Sequence, residues 1–381
     1  MVVDDDFEVL VGSQVTGKID AYLNPSNVGA GMRYNDAGPL DVAIPIKAFE
    51  NKRLNPASTC AALRQFMAVS YQGNIIEAGP IWKQAYDPKK EVIKLTGAGL
   101  WTLLDAVKAL PWYAMAVGVS PTTLTLNVVN KALGSIAREF VRIAVYTNPK
   151  NPGLPIVLPE IIPDINERNP PGYSLPWLGD LLRNLTGVKG GPDIRFRAER
   201  RPDDNRYVQW VMSHGTRENP LLTQHGPDWI WDATVPHSTI GDFGWQQDAT
   251  RMAARAWQPG AGSEQEMKLK WADDTTLIET AGYPWTEVDI AMKDIEDEDL
   301  LQEYADAGIS AARFPMETWN TTVRADETPK LGEFLPGDWS KLIIPDDHPI
   351  IPGEHRARIM SVDVDGTRDV KVVYAPIQGR P

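Results

Sequence analysis

The chain has one cysteine, Cys60, in 381 residues. That excludes an intrachain disulfide and leaves no basis for a cysteine-based metal site. A lone thiol of this kind is expected to be buried. No positive segment followed by an apolar run opens the sequence, since Val2 and Val3 lead straight into Asp4, Asp5 and Asp6. Neither a secretory signal nor a membrane anchor is therefore expected. Basic charge is scarce: 38 Lys and Arg stand against 51 Asp and Glu, for a net charge of -13. Sequence-specific duplex binding needs basic patches, and this balance argues against it. An acidic surface does suit a conduit through which nucleic acid passes without sticking. Internal repeats and low-complexity tails are absent.

Catalytic and metal motifs are lacking too. The five histidines are His214, His225, His237, His348 and His355. They form no HExxH motif and no pair four residues apart, so each is expected to be a surface or hydrogen-bonded residue. Asp363, Asp365, Gly366 and Asp369 superficially resemble a calcium loop, but the glycine follows the first aspartate too soon for an EF-hand. Asp365-Gly366 is a hairpin signal in its own right. Gly97 and Gly99 lack the lysine and hydroxyl residue of a phosphate loop. The sequons at Asn184 and Asn320 are expected to be chance matches in a chain without a secretion signal.

The most enzyme-like stretch is Asp228-Trp229-Ile230-Trp231-Asp232. Paired carboxylates beside aromatics suit a glycosidase. On an extended strand, however, Asp228 and Asp232 lie roughly 13 Å apart, beyond the usual separation of about 5 to 10 Å. A tryptophan strand packed against a neighbour is the plainer expectation. No catalytic, cofactor-binding or metal-binding residue is assigned, and no cofactor is expected.

What is present is a turn-rich chain with 31 prolines, 30 glycines and 13 tryptophans. Hydrophobic content of 43% and charged content of 23% are those of a soluble globular protein. Short elements between many turns favour small β-barrels over a doubly wound sheet. The expected class is α+β, mainly β.

Residues 1–111 are expected to form one small barrel with a flanking helix. Leu40, Val42 and Ile44 alternate with Asp41 and Ala43. Asn35-Asp36-Ala37-Gly38 is a turn. The run from Gly73 is expected to close at Gly79-Pro80, and Val92 to Leu95 forms the next strand. Leu100, Leu103, Leu104 and Val107 predict a helix that Pro111 ends. In residues 112–175, Thr125 to Val145 predicts one amphipathic helix. Its polar face is not rich in Lys or Arg, so it is expected to pack on protein rather than on a membrane. A proline-rich passage follows, expected to be an extended connector lying on other surfaces.

Residues 176–295 are expected to be an α/β insert. A helix over Trp177 to Leu185 ends at Gly187, and a hairpin pairs Ile194 to Ala198 with Val208 to Met212. Further strands are expected at Asp228 to Ala233 and Met267 to Trp271. Residues 296–381 are expected to be a second barrel. They follow an acidic run of Asp294, Glu296, Asp297, Glu298 and Asp299 suited to a helix N-terminus, and Val370 to Tyr374 is the closing strand.

Several stretches resemble the minor tail proteins of siphophages, in particular the tail-tip hub proteins common in phages of actinobacteria. They are Arg33-Tyr34-Asn35-Asp36-Ala37-Gly38 with the alternating strand to Pro45, Gly73 to Pro80, Leu95-Thr96-Gly97-Ala98-Gly99-Leu100-Trp101, and Pro336-Gly337-Asp338. The resemblance implies a non-enzymatic homotrimeric baseplate hub at the distal end of the virion tail, made in the host cytoplasm. It implies two tail-tube-like β-barrels per subunit, which adapt a sixfold tube to threefold tip proteins. The implied partners are its own copies, the distal tail protein ring, the tape measure protein and other tail-tip proteins. Genomic DNA would pass through the lumen without sequence-specific binding. This chain lacks the C-terminal extension of fuller hubs, so a spike is expected to belong to another protein. Two alternatives stay open. One is a polysaccharide-processing tail enzyme with its catalytic module in 176–295. The other is a host-envelope carbohydrate-binding module with exposed, coplanar tryptophans.

Overall fold

The alternation at Leu40, Val42 and Ile44 builds a strand with those three side chains buried and Asp41 exposed. The computed structural model describes residues 3–115, 117–188, 190–262, 266–290, 295 and 297–376. The first strands are β1 (Phe7–Ser13), β2 (Ile19–Leu23), β3 (Asn27–Met32), β4 (Pro39–Pro45), β5 (Gln65–Tyr71), β6 (Asn74–Asp87) and β7 (Val92–Ala98). The middle of the chain adds β8 (Ile156–Val157), β9 (Ile194–Arg200), β10 (Val208–His214), β11 (Trp229–Asp232) and β12 (Gly244–Asp248). Then come β13 (Arg255–Pro259), β14 (Leu269–Asp273), β15 (Glu287–Asp289), β16 (Met316–Arg324), β17 (Trp339–Ile344), β18 (Gly353–Val364) and β19 (Asp369–Pro376). The protein is mainly β, as expected, with 38% strand and 18% helix.

Thirteen strands form one sheet in the order β12-β16-β19-β18-β3-β4-β7-β6-β5-β1-β2, with β17 on β18 and β11 on β17 beside that path. The sheet joins two halves from distant parts of the chain. The joint is short: Val362, Asp363 and Val364 of β18 pair with Met32, Gly31 and Ala30 of β3. The edge of β18 that β3 takes is occupied by β17 from Gly353 to Arg358. Among the described residues no pairing closes either half on itself. One buried core runs through both, from Val9, Val69 and Leu95 to Leu342, Val362 and Tyr374.

A second apolar cluster covers the outer face of the first half. Leu10, Phe66 and Ala78 meet Phe140, Leu182 and Trp210 there. Side chains of this size stabilise the fold by about 1.5–3 kcal/mol each when fully buried. Trp210 anchors the hairpin β9–β10: it is fully buried, stands edge-on to Phe66 at 5.7 Å, and donates its indole N–H to the Ala78 carbonyl at 3.0 Å.

Three local expectations change. β6 does not stop at Gly79-Pro80 but runs on to Asp87. Pro80, which has no N–H to donate, falls where the strand changes partners, from β5 at Phe66↔Pro80 to β7 at Ile81↔Gly97. The helix expected from Leu100 to Val107 is a single turn, Trp101–Leu104. Its C-cap, Asp105, is taken by Arg183 at 2.7 and 2.9 Å. The helix expected from Thr125 begins only at Leu133 and ends at Tyr146. Leu126 and Val128 are buried in extended chain instead, because their amides bond the carbonyls of Pro170 and Arg168 in the proline-rich passage. That passage does lie extended on its neighbours. The helix Leu178–Thr186 with Gly187 at its C-cap forms as expected.

A smaller sheet, β14-β13-β15, packs on the helix Glu298–Ala312. Asp297 caps that helix by accepting the amides of Asp299 and Leu300. Asp294 and Glu296 of the acidic run lie outside the described residues.

Candidate functional site

The stretches that carry the resemblance are brought together in space. The amide of Gly99 donates to the Gly38 carbonyl at 2.8 Å. A Cβ on Gly38 would lie 1.7 Å from the Gly31 carbonyl oxygen, and one on Gly79 would lie 1.9 Å from that of Ala98. The β3–β4 loop, β6 and β7 thus cross at distances only glycine allows. Glu77 is enclosed in this crossing. Its Oε1 accepts the Ala78 amide at 2.9 Å. Burial pushes its carboxyl up to about 8, against the opposing pull of the Ala78 amide, Arg33 and the Gly38 amide. Arg33 itself pairs with Asp363 of β18 at 2.8 Å.

The same loop reaches the Pro336-Gly337-Asp338 turn through Arg358. The Arg358 guanidinium donates to the Gly337 carbonyl at 2.8 Å, lies 4.7 Å from the Tyr34 ring, and pairs with Asp193. Asp193 also accepts from Asn35 Nδ2 and from the Leu222 amide, each at 2.9 Å. Asp338 accepts from Trp229 Nε1 and the Leu335 amide, each at 3.0 Å, and burial pushes its carboxyl up. This node ties the β3–β4 loop, the start of β9 and the β17–β18 region into one piece. Sequence reasoning did not single out Glu77, Asp193 or Arg358. The available signal was a carboxylate set inside the apolar run Ile75-Ile76-Glu77-Ala78.

The tryptophan strand is structural in its contacts. Trp231 is 3% exposed and edge-on to Phe334 and Tyr374, at 5.3 and 5.9 Å. Hydrogen bonding from Arg356 holds Asp228 below the usual carboxylate range. The Thr234 hydroxyl and amide do the same for Asp232. A glycosidase needs one carboxyl kept protonated near neutral pH, and here both are held as anions.

The five histidines are dispersed. His214 Nδ1 faces the Gly215 carbonyl at 2.8 Å, and burial pushes its pKa down. His348 Nε2 meets the Phe243 carbonyl at 3.2 Å and His355 Nε2 that of Pro352 at 2.8 Å. His225 and His237 are exposed. The acidic residues of the apparent calcium loop have partners within the protein: Asp363 with Arg33, Asp365 with Thr367, Asp369 with Arg324. Among the described residues no group of three or more His, Cys, Asp or Glu is placed to hold a metal. Gly97 packs against the Pro80 carbonyl and Gly99 against Glu77. Asn184 and Asn320 lie inside a helix and a strand. The apolar face of Leu133–Tyr146 is covered by the second cluster. Among the described residues no helix is long and apolar enough to cross a membrane.

The outermost strands of the large sheet are open. Beside β2, Lys18 bridges Tyr207 and the Ile19 amide donates to the Arg206 carbonyl at 2.8 Å, but among the described residues no strand pairs with the outer side of β2 or of β12.

No protein-family model matches the sequence. No curated protein matches it either. Among solved structures, the chain is similar to the tail protein from Neisseria meningitidis MC58, with a TM-score of 0.53, 14% identity, and 98% of this chain aligned to 96% of that one. It is also similar to the 43 kDa tail protein of prophage MuSo2 from Shewanella oneidensis, with a TM-score of 0.54, 12% identity, and coverage of 97% and 98%. The chain therefore shares its fold with these two tail proteins.

Proposed function

We propose that this chain is a structural protein of a phage tail, built into the tail tip as a homotrimeric hub. What supports this is a fold correspondence over nearly the whole of both chains, 98% of this one and 96% of the Neisseria tail protein. In this proposal each half of the large sheet serves as a tail-tube-like barrel, so that three subunits meet a sixfold tube above and threefold tip proteins below. The open edges of β2 and β12 suit pairing between copies, because an unpaired strand is a template for another. The net charge of -13 suits a lumen that carries DNA and the tape measure protein without retaining them. The distal tail protein ring would sit above, and other tip proteins below. Residues 112–175, and the parts of 176–295 other than β11 and β12, which belong to the large sheet, would decorate the outside.

The test is mass in solution by light scattering, followed by negative-stain imaging and antibody labelling of intact virions. A particle of three times the 42.2 kDa chain mass, threefold in projection, with label at the tail tip, is the expected result. A strict monomer at every concentration, with no label on tails, would sink the proposal.

A further inference from the structure

The sheet β14-β13-β15 turns one face to the helix Glu298–Ala312 and leaves the other open. On β13, Ala256 and Gln258 are buried, while Arg255 and Trp257 alternate with them and face away. Trp257 stands opposite Trp271 on β14, with ring centroids 5.7 Å apart and planes inclined at 51°, a twisted platform and not the coplanar one expected of a carbohydrate-binding module. Arg255 stands opposite Asp273 on β14 and Glu287 on β15. Its guanidinium lies 4.9 Å from the Trp257 ring, 6.0 Å from Trp271 and 5.3 Å from Trp285. Asp273 holds it through two hydrogen bonds of 2.7 Å. Glu287 accepts the indole N–H of Trp285 at 3.1 Å. The group is fixed at both ends, yet Trp271 is 48% and Trp285 47% exposed.

Indoles on the solvent side of a sheet whose other face is packed add nothing to that packing. Clustered exposed apolar surface of this kind marks recognition, and the chemistry of the face narrows the ligand. Here a guanidinium and three carboxylates, Asp273, Glu287 and Asp289, are interleaved with the rings. Flat apolar surfaces alternating with fixed donors and acceptors match a sugar ring, whose C–H face stacks on an indole and whose hydroxyls both donate and accept. Asp273 neutralises Arg255, so the remaining charges are those of Glu287 and of the exposed Asp289 opposite Trp257, and an anionic polymer is repelled.

We infer that the face of Trp257, Trp271 and Trp285 around Arg255 binds a neutral, pyranose-based polysaccharide. The inference is independent of the hub proposal.

Affinity electrophoresis tests it. The full chain is run in gels containing dextran, a soluble β-glucan or a galactomannan, with hyaluronate as the anionic control. The expected result is retardation by at least one neutral polymer and none by hyaluronate. The variant carrying Trp271→Ala and Trp285→Ala should bind at least about tenfold more weakly. Trp177→Ala, which removes an exposed tryptophan elsewhere, should bind as the parent does. Unchanged circular dichroism shows that the double variant is folded, and the exposed positions chosen make that the expected outcome. No retardation by any neutral polymer overturns the inference, as does equal retardation of the double variant or retardation by hyaluronate alone. Loss of self-association or of virion incorporation in the double variant, without any glycan retardation, assigns the face to a protein partner and also overturns it.

Discussion

Asp193 at the start of β9 and Arg358 in β18 form an ion pair almost closed to solvent, with side-chain exposures of 7% and 11%. The two residues are 165 positions apart. A pair this buried is weak evidence of net stabilisation, but removing one partner strands a charge. Asp193→Ala or Arg358→Ala should each cost about 3–5 kcal/mol, read as a lower midpoint in urea unfolding. The double variant should cost less than the sum of the two. Additive losses would show that the residues act separately.

Glu77 gives a pH signature. Its folded pKa of about 8 lies above the 4.5 of an unperturbed carboxyl, so between those values the folded state binds more protons than the unfolded one. Stability attributable to Glu77 is therefore fully present below about pH 4.5, falls as pH rises, and levels off above about pH 8. Glu77→Gln should remove this slope, and its advantage over the parent should grow by at most about 1.4 kcal/mol per pH unit across the window. Urea unfolding of both proteins at several pH values measures it. Parallel curves for the two proteins would refute it.

Cys60 is fully buried, and burial pushes its thiol up to about 12. The thiolate is the reactive form. The native protein should therefore resist a thiol reagent at neutral pH, and the unfolded protein should react stoichiometrically. Rapid native labelling, followed by mass spectrometry, would contradict this burial.

Gly79→Ala tests the backbone crossing. The added methyl would stand 1.9 Å from the Ala98 carbonyl oxygen and 2.8 Å from the carbonyl carbon of Gly99. Both obstacles are backbone, so β6 and β7 must separate. The cost should reach or exceed about 1–3 kcal/mol, seen as a lower melting temperature. An unchanged melting temperature would mean that the crossing is looser than described.

Much of the β architecture was legible because period-two alternation is a local signal. β4, the β9–β10 hairpin and the closing strand β19 follow from it. Local pattern failed where partners decide conformation. Leu126 and Val128 fall inside the stretch expected to be helical, yet the proline-rich passage pairs with them and holds them extended. Pro80 reads as a strand end, but β6 passes through it because the missing N–H coincides with a change of partner. The ion-paired node was not legible at all. Asp193 and Arg358 are distant in sequence, and nothing local marks either, while Tyr34 lies in a stretch that carries the resemblance but does not reveal its partner. Nor did spacing separate the buried Trp231 from the exposed Trp271, which sit in similar alternating strands.

The joint between β3 and β18 also bears on synthesis. Residues 30–32 are made early, and their partners at 362–364 come late. Until those late strands leave the ribosome, the edge of β3 has no mate and the shared core lacks one of its walls. A ribosome-bound intermediate therefore carries a sticky flank for most of its lifetime, a window in which chaperones have a target.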